Sequence, residues 1–177
     1  MNISLGIIEA SEIPLQVQLA KRGDVAAFEK LIEENKYMLF RVAKVRLKCE
    51  EDIEDAFQET IIKAYKGINS LRKVEYFKTW LIKIMINECN MILRKRKETL
   101  YLEDAAVESI EAVETCNNIE IFDLINSLEE DLKLVTLLYY YEDMPQKQIA
   151  KLLNIPNGTV RSRISRAKEK LREAFEK

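Results

Sequence analysis

Apolar residues recur along this chain at spacings of three and four and rarely alternate, so the pattern predicts helices almost throughout. From Ala26 to Leu47, the residues Phe28, Leu31, Ile32, Leu39, Val42 and Val45 share one face. Asp24, following a turn at Gly23, is placed to cap that helix. A second helix is predicted from Asp52 to Lys66, with Ile53, Ala56, Phe57, Thr60, Ile61, Ala64 and Tyr65 as its apolar stripe. Asp55, Gln58, Glu59 and Ile62 form an offset and mostly polar stripe, and Gly67 is the expected stop. After a loop from Asn69 to Tyr76, a third helix turns Phe77, Trp80, Leu81 and Ile84 inward. Lys83, Asn87, Asn90 and Arg94 line another side of it.

Further along, Ile121, Phe122 and Ile125 start a small helix. Ser127 and Glu130 have the spacing of a capping box for the next one, which carries Leu132, Val135, Leu138 and Tyr139. The run from Pro145 to Lys168 then reads as two helices joined by a tight turn. Ile149, Ala150 and Leu153 lie on one side of the first. The turn is Asn154-Ile155, with Pro156 suited to the first position of the second helix. Val160, Ile164, Ala167 and Leu171 are the buried face of that helix, and Arg161, Ser162, Ser165 and Arg166 face the other way. This is the layout of a helix-turn-helix, whose second helix enters the DNA major groove. Arginine there can grip a guanine edge or a phosphate, and serine can bond either.

Composition narrows the picture. Only 4 glycines and 3 prolines interrupt 177 residues of which 47% are hydrophobic, as expected of an all-α protein of two small domains. No apolar run approaches the ~20 residues of a membrane span. The N-terminus lacks the basic start and apolar block of a signal peptide, so a cytoplasmic protein is expected. Cys49, Cys89 and Cys116 are far apart, form no C-x-x-C pair and have no histidine to work with; reduced thiols and no metal or other cofactor are expected.

The net charge of -2 conceals a segregated distribution. Arg94 to Lys97 are four consecutive cations, and Arg161 to Lys177 holds seven basic residues against three acidic ones. Between them, Glu98 to Glu120 carries seven acids and no lysine or arginine. This places an N-terminal domain at 12–97, a solvated acidic linker at 98–119 and a C-terminal domain at 120–177. Each half has enough apolar positions for a modest core of its own.

Four segments in order resemble the extracytoplasmic-function (ECF) sigma factors of bacterial RNA polymerase, in the sigma-70 family. Leu19-Ala-Lys-Arg-Gly-Asp-Val-Ala-Ala-Phe28 looks like the family's opening helix motif, and Asp52 to Tyr65 looks like region 2.2. Phe77-Lys-Thr-Trp-Leu81 followed by Asn87 is similar to regions 2.3 and 2.4, and Gly158 to Ala167 is similar to region 4.2. The resemblance implies a sigma region 2 bundle and a sigma region 4 helix-turn-helix, with core RNA polymerase and promoter DNA as partners. Region 2.2 would dock on the polymerase through Asp55, Gln58, Glu59 and Ile62.

The -10 element would be held by Leu71, Arg72, Lys73, Val74, Glu75, Tyr76, Lys83, Asn87, Asn90 and Arg94, with Asn87 reading a flipped base. Arg94 to Lys97 would follow phosphates or the start of the linker. Thr159, Arg161, Ser162, Ser165 and Arg166 would contact the -35 element. The loop departs from the family, since Lys73-Val74-Glu75 stands where Gly-Asp/Glu-Ser is usual. Trp80 and Phe77 are read as core rather than as stacking platforms. An anti-sigma factor, membrane-anchored in many members, is the further implied partner; no small-molecule substrate is.

Two other classes compete. An enzyme could use the acids Glu50, Glu51, Asp52, Glu54 and Asp55 as a metal site, but a helical carboxylate site normally adds Glu-x-x-His pairs and this chain has no histidine. Nor does the sequence hold a glycine-rich phosphate loop or a histidine base for a nucleophile. A stand-alone helix-turn-helix regulator of duplex operators would explain the C-terminal half, but not the Phe-x-Thr-Trp-Leu helix or the polar stripe of the second helix.

Overall fold

The computed structural model describes residues 4–100 and 119–175, and among these residues there is no strand. The all-α expectation is met. In chain order the helices are α1 (Ser4–Lys21), α2 (Val25–Lys44), α3 (Glu50–Gly67), α4 (Phe77–Leu100), α5 (Ile119–Asn126), α6 (Glu130–Tyr140), α7 (Gln146–Leu153) and α8 (Asn157–Phe175). Two 3-10 turns, Ile68–Ser70 and Val74–Tyr76, lie between α3 and α4. The acidic segment falls mostly outside the described residues; its ends appear as the last turn of α4 and the first residue of α5.

The Leu19–Phe28 motif is not one helix. It spans the end of α1, a turn and the start of α2. Gly23 takes φ +94, a left-handed conformation open to glycine without the steric cost a side chain would add. Asp24 then caps α2 as expected, its carboxylate accepting from the Ala27 backbone N–H at 3.0 Å. The α2 face runs as the pattern requires, with Phe28, Leu31, Ile32, Leu39, Val42 and Val45 all buried. The helix itself ends at Lys44, and Val45 packs from the following turn.

Helix α3 buries Ile53, Ala56, Thr60 and Ala64, while Tyr65 is half exposed and meets Phe28 edge-on at 5.1 Å between centroids. Gly67 closes the helix, but not by a left-handed cap. Its backbone stays right-handed and runs on into the 3-10 turn. Space is its contribution: a Cβ there would stand 3.4 Å from Trp80 Cζ2. Helix α4 buries Phe77, Leu81, Ile82, Met85, Ile86 and Cys89; Trp80 and Ile84 are only partly covered. Buried polar groups find partners close by. Thr60 donates to the Ala56 carbonyl at 2.7 Å, Asn35 to the Leu31 carbonyl at 2.8 Å, and buried Glu88 of α4 pairs with Lys63 of α3 at 2.6 Å.

In the C-terminal half, the expected capping box is absent. The residue before α6 is Glu129, so the helix starts two residues beyond the position at which Ser127 could cap it. Ser127 instead donates back to the Leu124 carbonyl at 2.8 Å, at the end of α5. Pro156 sits one place earlier than expected: its carbonyl accepts from Thr159 and Val160, which makes it the residue preceding α8. Asn154 ends α7 in the left-handed conformation, φ 53 and ψ 46, as asparagine tolerates. Val160, Ile164 and Ala167 are buried, and Leu171 packs on a small cluster with Leu128 and Leu132.

The two halves do not keep separate cores. Ile125, Leu134, Leu137, Leu138, Ile149 and Val160 join the N-terminal helices in one continuous apolar cluster. Polar contacts cross the same boundary. Glu142, in the turn after α6, accepts from Arg41 of α2 at 2.9 Å and pairs with Lys78 of α4 at 2.8 Å. Gln148 of α7 donates to the Thr79 hydroxyl of α4.

Candidate nucleic-acid interface

Helix α4 divides cleanly by face. Opposite its buried residues, Lys83, Asn87, Asn90 and Arg94 are exposed at spacings of four, three and four, so they form a single polar stripe. Asn90 Oδ1 accepts from Arg46 Nη2 at 2.5 Å, which adds a cation from the turn after α2 to the stripe. Lys83, Asn87, Asn90 and Arg46 line one wall of a cavity of about 730 Å³; Leu152, Leu153 and Ile155 of the helix-turn-helix contribute to the other. Arg46 escaped the sequence reading because its role is set by a helix more than forty residues away.

The loop before α4 brings Arg72, Lys73, Glu75 and Tyr76 to the surface, with Val74 partly covered. Lys73 Nζ lies 5.9 Å from the centre of the Tyr76 ring. Leu71 does not belong with them. Its side chain is buried in the core, where the apolar stretch around Ile68 and Phe77 claims it, and its carbonyl accepts from Lys21 Nζ at 2.7 Å. Trp80 and Phe77 pack together at 6.0 Å between centroids, on the core side of the helix. Of the cations ending α4, Arg94 is on the polar stripe, whereas Arg96 is turned to Asp52 of α3 at 2.6 Å and is not disposed toward phosphate.

On α8, Arg161, Ser162, Ser165 and Arg166 are exposed and Thr159 is partly covered. Ser162 donates to the Thr159 carbonyl at 3.0 Å. Arg166 is held from behind by Glu129 at 2.7 Å and Asp131 at 3.6 Å, both from the α6 end of the domain. Lys170 pairs with the same Glu129 at 2.7 Å, and Arg163 with Asp131 at 3.3 Å. The hydrogen bond from Lys170 and the charge of Arg166 hold the Glu129 carboxyl below the usual range. No local spacing signals these pairs, since they join residues more than thirty positions apart.

On α3, Asp55, Gln58, Glu59 and Ile62 are all exposed on one side, as an offset stripe should be. Gln58 stands at the rim of an apolar groove of about 520 Å³ between α2 and α3, walled by Tyr37, Phe40, Ile53 and Phe57. Tyr37 and Phe40 lie off the core face of α2, so sequence periodicity alone leaves them without a task. Among the described residues no cluster of three or more metal-binding side chains forms, and no helix is long and apolar enough to cross a membrane.

An all-helical chain with a polar stripe on one helix and a basic helix-turn-helix beyond it has the form of a two-domain DNA-binding protein. Comparison with known proteins gives the family. Residues 31–99 match the model for Sigma-70 region 2, and residues 119–171 match Sigma-70, region 4. The chain is 34% identical to the ECF RNA polymerase sigma-E factor of Haemophilus influenzae, covering 86% of this chain and 89% of that one. It is 29% identical to the ECF RNA polymerase sigma factor SigW of Bacillus subtilis, covering 91% and 95%. Among solved structures, the sigma factor RpoE of Bartonella quintana, crystallised with the anti-sigma factor NepR, superposes with a TM-score of 0.74 at 23% identity over 86% of this chain and 98% of that one. The chain belongs to the ECF sigma factors of the sigma-70 family. It is an RNA polymerase sigma factor, a promoter-specificity subunit rather than a stand-alone operator-binding regulator.

Proposed function

We propose that the three exposed stripes divide the work of promoter recognition. The stripe of α3, with Asp55, Gln58, Glu59 and Ile62, docks on core RNA polymerase. The adjoining groove of Tyr37, Phe40 and Phe57 supports this reading, because a helix-sized apolar trough rimmed by charge suits a partner helix. The stripe of α4, with Lys83, Asn87, Asn90 and Arg94, together with the surface of the 72–76 loop, holds the unpaired -10 strand. Thr159, Arg161, Ser162, Ser165 and Arg166 of α8 lie on the -35 duplex. The functional domains are then 12–97 and 120–177, with the acidic segment 98–119 between them.

The observation that carries this reading is the partition of α4: one rigid helix offers amide and cationic groups on one side while its other side is fixed in the core. With no nucleotide hydrolysis in this scheme, strand opening must be driven by binding energy. An amide can bond the Watson–Crick edge of an extruded base, and lysine and arginine can follow the phosphates. The protein acts by binding, not by catalysis, and works in the cytoplasm where polymerase and chromosome are. An anti-sigma factor covering these stripes is the regulator that fits; one similar structure holds the sigma factor RpoE with the anti-sigma factor NepR, and another holds CnrH with the cytosolic domain of CnrY. In vitro transcription with core enzyme on genomic DNA, with start-site mapping, tests the whole scheme. Start sites sharing no -10 and -35 sequence would refute it.

A further inference from the structure

The recognition helix carries cations on two flanks, and acids answer only one of them. Arg163, Arg166 and Lys170 recur three and four residues apart and share one side of α8, while Arg161 and Lys168 stand on the other side with Ser165. Two carboxylates at the start of α6 take all three cations of the first side. Glu129 accepts from Arg166 Nη2 on one oxygen and from Lys170 Nζ on the other, each at 2.7 Å. Asp131 stands 3.3 Å from Arg163 Nε and 3.6 Å from Arg166 Nη1. Arg161 and Lys168 pair with no acid among the described residues.

Stability does not account for this arrangement. Glu129 and Asp131 are 50% and 40% exposed, so water and salt screen their pairs and the fold gains little from them. Helix α8 is already fixed from its buried side by Val160, Ile164 and Ala167. The neighbouring acid, Glu130, behaves differently: it turns to Lys133 of its own helix at 2.7 Å and not to α8.

The effect of the two acids falls on DNA. A free surface cation binds any phosphate, and that contact carries no sequence information. Arg166 and Lys170 reach a phosphate only by giving up Glu129, and the carboxylate left behind repels the phosphate that displaced it. A guanine edge carries no net charge, so Glu129 does not repel it. A guanidinium with five N–H donors can also leave one on Glu129 while it offers two to the guanine O6 and N7. The acid therefore opposes phosphate binding more than base reading.

We propose that Glu129 is a specificity-determining residue. Together with Asp131 it occupies Arg166 and Lys170, keeps them from adhering to phosphate at random, and so raises the contrast between a -35 element and any other duplex. That α8 reads the -35 element rests on the assignment under Proposed function.

The test is fluorescence anisotropy of the full chain, alone and bound to core polymerase, on two labelled duplexes. One carries a -35 element obtained from start-site mapping, and the other has the same bases scrambled. Titrations run from about 50 to about 200 mM KCl, where phosphate contacts differ most in strength. Glu129→Gln should bind the scrambled duplex about tenfold more tightly at the lower salt, with a salt slope steeper by about 1–2, as one or two more phosphates are neutralised. On the -35 duplex Arg166 already has its base edge and only Lys170 is freed, so the gain should be about threefold and the preference for that duplex should fall about threefold.

Glu130→Gln is the control, because it removes the same charge one position away without touching α8. Its affinities should stay within about twofold of wild type, as expected of a screened charge. Glu129 and Glu130 are both exposed, so neither variant leaves a hole in the core. Equal gains from the two variants would overturn the role of Glu129 alone, as would an unchanged preference beside a wild type that favours the -35 duplex. A wild type with no preference in either form, and with Arg166→Ala altering neither affinity, would overturn the -35 assignment of α8 and the role of Glu129 with it.

Discussion

Arg166 Nη2 of the recognition helix lies 2.7 Å from Glu129 Oε2, so the arginine assigned to DNA is already held by an acid of its own domain. Both side chains are about half exposed, so solvent screens the pair and makes it cheap to break. Glu129 therefore orients the guanidinium without locking it. Arg166→Ala should leave thermal stability almost unchanged and weaken -35 duplex binding by ~1–3 kcal/mol if the side chain reaches a base edge. A mobility-shift titration across base variants decides it. A loss equal for every sequence would mean a phosphate contact, and no loss would remove Arg166 from the interface.

Asp55 and Glu59 point outward one turn apart on α3. Their joint reversal to lysine should keep helix content and cut affinity for core polymerase at least tenfold, or about 1.4 kcal/mol. Pull-down of purified core by the folded variant is the measurement. Unchanged recovery would move the docking surface away from this stripe.

Asn87 carries the opening hypothesis. Asn87→Ala should slow open-complex formation on duplex promoters and relax base preference at one -10 position. A template mismatched across the -10 element should regain part of the activity, since unstacking costs a few kcal/mol less there. Binding to an isolated -35 duplex should not change. Because Asn87 is exposed, its loss should also leave the melting temperature alone. A variant that melts early but opens promoters normally would make Asn87 a structural residue.

Cys89 is fully buried on the core side of α4, and burial pushes its thiol up to about 12. The folded pKa lies above the unfolded one, so the neutral thiol stabilises the fold at neutral pH and that contribution fades as pH rises past the unfolded value. At pH 8 the thiolate needed for alkylation is scarce at Cys89, whereas Cys49 is partly exposed. Iodoacetamide labelling followed by mass spectrometry should modify Cys49 in the native protein and Cys89 only after denaturation. Rapid native labelling of Cys89 would show that the core around α4 opens.

The sequence made the helices legible because their faces are periodic: α2, α3 and α4 follow three- and four-residue spacing closely enough to place Leu31, Ala56 and Leu81 in the core. It failed where a side chain's task is set by distant chain. Ser127 and Glu130 have capping-box spacing, yet α6 begins too late to use it. Helix α1 gave no clear face, and its internal Pro14 argues against a helix, but packing of Val17 and Ala20 on α2 holds it in place. Leu71 sat in a loop and read as surface, while the fold draws it inward. The ion pairs of Glu129 and those of Glu142 join residues far apart in sequence, and no local pattern encodes such meetings.

The partition of α4 has a consequence for how such proteins diversify. Phe77, Leu81, Met85 and Cys89 anchor the helix, and positions 83, 87, 90 and 94 stand clear of them. If the outer set reads the promoter as proposed, substitutions there alter which promoter is chosen while the scaffold is left untouched, and substitutions in the inner set alter folding whatever the promoter. A duplicated copy of this gene could therefore acquire a new set of target genes through a few outward-facing changes, long before its architecture had to change at all.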